Sequence, residues 1–271
     1  VSLIAAGKVL KFDRENHLVG EASFKTPGML SLDATSDLLY VGRSMAAVNP
    51  PQRIGVVHRS DMSIDEVDVF FPRPHALAVD PTGSRFFSAS LGQNSVAYAP
   101  TGTAEVDLLH LDGVNHMFVQ FAVSRDGHWM VGGGQMTGDL IVFDLSGDEP
   151  VVVNSVKVGG QPWHPTFSLD GRFVWVPNQA ANTVTVVDAS SWSVVDVISH
   201  PALIEPHGSA ISPDGTTVYI SGRNVAGTYQ SAENAVDRPG TVVAIDAESH
   251  DVLAVIEVGR YAAGMSAPSG H

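Results

Sequence analysis

Cysteine is absent from the 271-residue sequence. This absence excludes structural disulfides, thiolate metal sites and covalent attachment of c-type haem. Any metal ion must therefore be held by histidine, methionine, carboxylate or backbone oxygen. A chain without cysteine is compatible with the periplasm or the cell surface, but the absence does not prove export.

Charged side chains are scarce, and basic ones are the scarcer kind. Charged residues make up 16% of the chain, and 15 Lys and Arg against 29 Asp and Glu give a formal net charge of −14 at pH 7. A field of this sign repels nucleic acid and anionic membrane surfaces, and it favours cationic partners or metal ions. We therefore expect no nucleic-acid partner.

Long apolar runs are also missing. No stretch approaches the roughly 18 apolar residues of a membrane helix, and the sequence opens inside an apparent strand rather than with the segments of a signal peptide. We expect no membrane insertion, and an export signal that has been removed or was never present. Hydrophobic residues still make up 44% of the chain, which is enough for a large core.

A pattern of four short strands with one tight turn recurs along the chain. Its turn glycines lie 44 residues apart, in Asp80-Pro81-Thr82-Gly83, Ser124-Arg125-Asp126-Gly127, Ser168-Leu169-Asp170-Gly171 and Ser212-Pro213-Asp214-Gly215. Asp33-Ala34-Thr35-Ser36 is a degenerate fifth copy. This spacing fits one propeller blade per repeat, and we find no segment with the 3.6-residue periodicity of a helix.

The two ends of the chain complement each other. Residues 1–24 resemble the second to fourth strands of a blade, and residues 262–271 resemble a first strand that ends in a turn-like Ala267-Pro268-Ser269-Gly270. Joining them would hide both sheet edges. We predict an all-β propeller of six four-stranded blades, in which N- and C-terminal strands share the closing blade, as a single domain over residues 1–271. Seven blades remain the alternative if residues were lost at either terminus.

One repeat carries a family resemblance. Val174-Trp175-Val176-Pro177-Asn178, a polar turn and Val184-Thr185-Val186-Val187-Asp188 closely resemble the YVTN-family repeat, and weaker copies cover nearly the whole chain. The chain is thereby similar to the propellers of cytochrome cd1 nitrite reductase, its haem d1 biogenesis relatives and nitrous oxide reductase. The resemblance implies a periplasmic or extracellular location. It is specific for fold and poor for function, because propellers host unrelated activities.

Four consecutive blades each carry a histidine near the start of the first strand, which lines the central channel in such propellers. His75 and His207 lie eight residues before the turn glycine, His164 lies seven before it and His116 eleven. We predict that these imidazoles form a metal site at one end of the channel. The uneven offsets leave open whether all four rings converge.

The donor types indicate which metal such a site would hold. Imidazoles brought together from separate strands suit copper, zinc, nickel or iron. Met29 and Met265 occupy comparable segments of the remaining two blades, and nearby thioethers would favour copper. The expected cofactor is copper, with a haem d1-like tetrapyrrole as the alternative.

Polar residues follow the second strands and are expected to face the same end of the channel. We predict cofactor or substrate contacts, with an ordinary surface-loop role equally open, for Arg43, Gln93, Gln135, Gln179 and Arg223. An insertion at roughly residues 224–239 follows the last of these and contains Gly227, Tyr229, Glu233, Asn234 and Asp237. Such a loop commonly carries function, although an insertion of this size is compatible with a neutral role as well.

Two function hypotheses follow. The first is a metal-binding propeller that carries copper or uses it in redox chemistry on a small-molecule substrate, with a separate electron-transfer protein as partner. The second is a non-enzymatic module that binds a haem d1-like tetrapyrrole or a protein partner. A lactonase-like hydrolase is disfavoured because Asp and Glu do not recur at the channel positions, and no nucleophile elbow or phosphate-binding loop is present.

Overall fold

The computed structural model describes residues 1–231 and 237–267, and every regular element within them is a β-strand. The strands form six sheets arranged as a β-propeller, which confirms the predicted all-β, six-bladed fold. No helix that is long and apolar enough to span a bilayer occurs in this part of the chain. Contacts group the residues into two compact units, Val1–Met130 with Asp144–Val151 and Val131–Phe143 with Val152–His271. The single domain over residues 1–271 remains a prediction.

The first unit contains blades I, II and III. Blade I is β1 (Ser2–Leu3), β2 (Lys8–Phe12) and β3 (Leu18–Ser23). Blade II is β4 (Pro27–Leu32), β5 (Leu38–Arg43), β6 (Arg53–His58) and β7 (Ile64–Asp68), and blade III is β8 (Pro74–Val79), β9 (Arg85–Ser90), β10 (Ser95–Pro100) and β11 (Asp107–His110). Successive strands of each blade pair antiparallel.

Blade IV contributes strands to both units, and blades V and VI belong to the second. Blade IV is β12 (Phe118–Val123), β13 (Trp129–Gly134), β14 (Asp139–Asp144) and β15 (Val151–Lys157). Blade V is β16 (Thr166–Phe167), β17 (Phe173–Asn178), β18 (Thr183–Asp188) and β19 (Ser193–Ser199). Blade VI is β20 (Pro206–Ile211), β21 (Thr217–Gly222), β22 (Gly240–Asp246) and β23 (Val252–Val258).

The repeated turns are closed by local side-chain hydrogen bonds. In the turn of blade V, Ser168 Oγ accepts the N–H of Phe173 at 2.9 Å and donates to the Asp170 carboxylate at 2.6 Å. Gly171 has φ 73 and donates its N–H to the Ser168 carbonyl at 3.0 Å. Only glycine adopts this left-handed conformation without strain, so the turn requires the glycine that marks the repeat. Ser124 and Ser212 make the same bonds in the other two turns of this type.

Apolar side chains pack between neighbouring blades. In the first unit Tyr40 of β5 and Phe86 of β9 stack at 4.7 Å between ring centroids, and both are buried. In the second unit Trp175 of β17 and Ile220 of β21 belong to one buried cluster. Burial of each such side chain stabilises the fold by about 1.5–3 kcal/mol.

First strands of successive blades contact each other within each unit. In the first unit β4 contacts β8 and β8 contacts β12, while β16 contacts β20 in the second. The second strand of a blade also contacts the first strand of the next, as β5 does with β8 and β17 with β20. Residues at the beginnings of neighbouring first strands are therefore close together, as the repeat predicted.

Blade I has three strands, and its predicted fourth strand is not formed in the described residues. Residues 262–267 have no strand pairing, and the predicted turn over residues 268–270 lies outside the described part of the chain. The C-terminal segment instead lies against blade VI, where Ser221 Oγ donates to the Ala263 carbonyl oxygen at 2.5 Å. The absence of a side chain on Gly208 permits this approach, because a Cβ there would lie 2.4 Å from the same oxygen.

Candidate functional site

The predicted ligand positions coincide with an irregularity at the start of the first strands. The register of β8 shifts at His75, that of β20 shifts across His207, and that of β4 shifts across Met29. In blade V three residues centred on His164 face two residues of β17. Bulges turn a side chain away from the regular pleat and are common beside functional sites.

A proline precedes each of these irregularities. The four are Pro27, Pro74, Pro162 and Pro206. Proline has no N–H to pair in a sheet ladder, and it is tolerated at the first position of a strand. In each case histidine or methionine follows the proline within two positions. The proline is thus the local cause of the altered register at that residue.

Glycines allow the histidine-bearing segments to approach the preceding blade. A Cβ on Gly42 of β5 would lie 2.5 Å from the carbonyl oxygen of His75. A Cβ on Gly133 of β13 would lie 2.8 and 2.9 Å from the carbonyl oxygens of Pro162 and Trp163. Real Cβ atoms are not found this close to backbone oxygen, so both positions require glycine. These contacts fix how closely each histidine-bearing segment lies to the preceding blade.

His75 is a buried neutral imidazole with a defined tautomer. Its Nδ1 atom lies 2.6 Å from the Arg43 carbonyl oxygen. Because a carbonyl oxygen can only accept a hydrogen bond, Nδ1 carries the proton. Burial lowers the pKa of His75 to about 4. At neutral pH the lone pair is therefore on Nε2, the state in which imidazole binds metal ions.

His116 is held by a backbone hydrogen bond and a ring contact. Its N–H donates to Asn94 Oδ1 at 2.8 Å, and its ring lies 5.4 Å from the Phe118 ring between centroids. It is half-buried. His116 lies before β12 rather than at its start, which is consistent with its larger offset from the turn glycine.

His164 and His207 lie together with Trp163 in the second unit. The two imidazole centroids are 4.4 Å apart, with an angle of 70° between the ring planes. The Trp163 ring lies 4.3 Å from His207 and 6.0 Å from His164. Ser209 Oγ of β20 donates to the His164 carbonyl oxygen at 2.5 Å and ties the two segments together. Two of the four predicted imidazoles thus meet.

The described residues do not form a complete set of metal ligands by themselves. Within residues 1–231 and 237–267, no three His, Asp or Glu side chains are grouped so that they could hold one metal ion. The two methionines that were predicted to lie near the site, Met29 and Met265, have different surroundings. Met29 packs against the core cluster of blades II and III, and Met265 lies beside Gly208.

Arg43 is held inside the first unit. It is 1% exposed, and its guanidinium donates to the carbonyl oxygens of Arg53 at 3.0 Å and Lys25 at 2.7 Å. It also donates to Glu66 Oε1 at 2.6 Å, and it lies 3.7 Å over the Phe24 ring. These bonds link the end of β5 to neighbouring strands and give Arg43 a structural role. The contact of Arg43 with a cofactor stays a prediction from the sequence.

The predicted glutamines differ in their surroundings. Gln93 donates to Ser95 Oγ at 3.2 Å in blade III. Gln135 follows β13, and its buried Oε1 has no hydrogen-bond partner among the described residues. Gln179 donates its backbone N–H to the Gln161 carbonyl oxygen at 2.9 Å and lines a cavity.

That cavity has a volume of 390 Å³ and lies where blades V and VI begin. Gln179 and Arg223, both predicted from the sequence, line it with Gln161, Asn182 and Glu205. Val225, Ala226 and Thr228 of the insertion form a further part of the wall. The predicted insertion residues Glu233 and Asn234 lie outside the described residues.

Three lining residues escaped the sequence prediction. Gln161, Asn182 and Glu205 all have positive φ, of 58, 55 and 48. Non-glycine residues in this region are uncommon and are often found at functional sites. The sequence offers only a weak signal for these lining residues. Gln161 and Glu205 each stand one residue before the proline of a histidine-bearing segment, and nothing comparable marks Asn182.

The comparisons with known proteins support the fold. No protein-family model matches the chain, and no curated protein matches its sequence. Kuenenia stuttgartiensis hydrazine synthase is similar in structure, with a TM-score of 0.60 and 22% identity over 71% of this chain and 51% of that one. A catalytically inactive variant of Staphylococcus aureus virginiamycin B lyase, solved with quinupristin, has a TM-score of 0.75 and 12% identity over 98% of this chain and 83% of that one.

These likenesses show a β-propeller and no particular activity, because propellers host unrelated functions. The chain matches only about half the length of the hydrazine synthase chain. The YVTN type of the repeat stays a prediction from the sequence.

Proposed function

We propose that this chain is a transition-metal-binding propeller in which His164 and His207 supply two ligands, with copper as the metal. The observation that carries the proposal is the 4.4 Å separation of their ring centroids. Two imidazoles that share one ion at metal–nitrogen distances of about 2.0 Å have centroids roughly 4–5 Å apart. The observed separation fits this requirement.

The donor chemistry also fits copper. A chain without cysteine offers imidazole, thioether and carboxylate ligands, and imidazole suits copper in both common oxidation states. With two protein ligands, positions remain for water or a small substrate. Bound copper would supply electron transfer or activation of such a substrate, while the chain holds the imidazoles at a fixed separation.

His75 has a feature of known metal ligands. Metal-ligating histidines usually donate the other ring N–H to a carbonyl or carboxylate, and the Nδ1–H of His75 bonds the Arg43 carbonyl in this way. His75 and His116 belong to the first unit, and their participation stays the prediction made from the sequence. A small-molecule substrate, an electron-transfer partner and a periplasmic or extracellular location belong to the same proposal.

Binding of a haem d1-like tetrapyrrole is the second candidate. It is favoured by the Trp163 ring, which lies 4.3 Å from His207 and provides a flat aromatic surface beside a possible axial ligand. The nearby Arg223, which lies 5.9 Å from that ring, would pair with a carboxylate substituent.

Copper titration with a matched pair of variants tests the proposal. Untagged, EDTA-treated protein is mixed with one equivalent of Cu(II), desalted and assayed for copper by mass spectrometry. We expect close to one retained copper in the unchanged protein and in His17→Ala/His58→Ala, which removes two surface imidazoles. We expect the copper to be lost in His164→Ala/His207→Ala, with circular dichroism showing that the fold is retained.

Two outcomes would contradict the copper proposal. One is equal retention by all three proteins, and the other is no retention by the unchanged protein. If the second outcome is accompanied by an absorption band at about 400 nm on addition of haem, the tetrapyrrole candidate takes the place of the copper proposal. Loss of that band in the His164→Ala/His207→Ala variant would then assign the axial ligand to one of these two histidines.

A further inference from the structure

The cavity between the starts of blades V and VI contains a cation that forms no ion pair with any residue the structure describes. Arg223 makes no side-chain hydrogen bond and no ion pair with any described residue, and its Nε is buried. Its guanidinium lies 5.9 Å from the Trp163 ring and 5.3 Å from the Tyr261 ring. Contacts with aromatic faces hold the guanidinium by cation–π attraction. The terminal N–H donors of Arg223, which make no hydrogen bond to a described residue, are therefore the groups offered to a ligand that carries a planar anionic group.

A carboxylate, that of Glu205, lines the same cavity. Glu205 accepts one hydrogen bond, from the Val225 N–H to Oε2 at 2.5 Å. In the described part of the chain, no ion pair joins the Glu205 and Arg223 side chains, although the Arg223 backbone N–H donates to the Glu205 carbonyl oxygen at 3.3 Å. A carboxylate placed in this way favours a cationic group on a ligand.

The remaining polar wall is made of amides on a fixed backbone. Asn182 Oδ1 accepts the N–H of Glu205 at 2.8 Å, and the backbone of Gln179 bonds that of Gln161. Three lining residues hold positive φ, which persists in non-glycine residues only where the surrounding structure enforces it. Such a backbone keeps the charged and amide groups at set positions before a ligand arrives.

We propose that this cavity binds a small zwitterion, an α-amino acid with a polar side chain. Its carboxylate pairs with Arg223, its ammonium group pairs with Glu205, and its side chain contacts the amides of Gln161 and Gln179. A zwitterion has no net charge, so the protein's −14 does not repel it as it would an anion. The volume of 390 Å³ suits a molecule of this size. The inference does not depend on the metal proposal.

The test uses three probes that differ only in charge. L-glutamine carries both charged groups, glutaramate lacks the ammonium group, and 4-aminobutanamide lacks the carboxylate. Binding to EDTA-treated protein is measured by calorimetry, so the presence or absence of copper does not affect the result. We expect L-glutamine to bind at least tenfold more tightly than either single-charge analogue.

Variants assign the charges. Arg223→Gln and Glu205→Gln are each expected to weaken L-glutamine binding at least tenfold, and Arg223→Lys to restore only part of it because lysine lacks the planar fork. Arg125→Gln and Glu248→Gln change exposed charges outside the cavity and should leave binding unchanged. Thermal unfolding of each variant confirms that it is folded.

Several results would overturn the inference. Equal binding of glutaramate and L-glutamine would show a site for anions only, and equal binding of 4-aminobutanamide would show a site for cations only. No binding of any probe at millimolar concentration, or L-glutamine binding that survives both Arg223→Gln and Glu205→Gln, would show that the cavity is not an amino-acid site.

Discussion

His164 and His207 lie edge to face, with ring centroids 4.4 Å apart, although they begin different blades of the propeller. The segments that carry them are joined by a hydrogen bond, which Ser209 Oγ donates to the His164 carbonyl oxygen at 2.5 Å. The pair is therefore a consequence of how one first strand lies on the next.

The hydrogen bond from Ser209 should support both stability and the geometry of the pair. Ser209→Ala leaves the His164 carbonyl oxygen without this donor and should lower the free energy of unfolding by about 1 kcal/mol. We also expect copper affinity to fall several-fold. Urea unfolding and copper titration measure both effects, with the exposed Ser155→Ala as the control. Unchanged copper affinity in Ser209→Ala would contradict the positioning role.

Gly133 should tolerate no side chain. Gly133→Ala places a Cβ 2.8 Å from the Pro162 carbonyl oxygen, and the resulting shift should cost about 1–3 kcal/mol of stability. A Cβ on Gly259 meets nothing within 4 Å, so Gly259→Ala should change stability by less than about 0.5 kcal/mol. Urea unfolding compares the two. Equal stabilities would show that the segment carrying His164 does not depend on this contact.

Arg43 should be far more important to stability than its neighbour Arg53. Arg43→Ala removes three hydrogen bonds made by a buried guanidinium and leaves the Lys25 and Arg53 carbonyl oxygens without those donors, so we expect a loss of about 3–5 kcal/mol. Arg53 forms an exposed pair with Asp68, and Arg53→Ala should cost less than about 1 kcal/mol. Chemical denaturation of both variants provides the comparison. Similar losses would refute the structural role of Arg43.

His75 should make the metal-free protein sensitive to acid. Its pKa is lowered to about 4 in the folded state from an ordinary value of 6.5, so the unfolded chain binds more protons between those pH values. Folded stability should therefore fall as the pH drops from 6.5 to 4, by at most about 3 kcal/mol from this group.

The variant His75→Gln removes this titration. Its stability should vary less with pH over the same window, whereas the exposed His17→Gln should behave like the unchanged protein. Urea unfolding of EDTA-treated protein at several pH values measures the slopes. Parallel slopes for all three proteins would contradict the assignment to His75.

Much of the fold follows from local patterns. The turn glycines at 83, 127, 171 and 215 predict the repeat, because each has a positive φ that the turn requires. The predicted closing strand of blade I, in contrast, is not formed in the described residues. The C-terminal segment instead contacts Ser221 and Gly208, and a single buried hydrogen bond of this kind has no periodic signature in the sequence.

The candidate site, like the fold, was predictable where it depends on the repeat. Blade register predicts which histidines begin first strands, and it led to His164 and His207. Their ring contact depends on side-chain direction at a bulge, which residue spacing does not specify. Gln161 and Glu205 were not predicted because only their backbone conformation and a cavity formed by two blades single them out.

The most direct test of the metal proposal is electron paramagnetic resonance of the protein with one equivalent of Cu(II). Coordination by His164 and His207 predicts nitrogen couplings from two imidazoles, which should disappear in the His164→Ala/His207→Ala variant and persist in His17→Ala/His58→Ala. Identical spectra from the unchanged protein and the His164→Ala/His207→Ala variant would contradict the account.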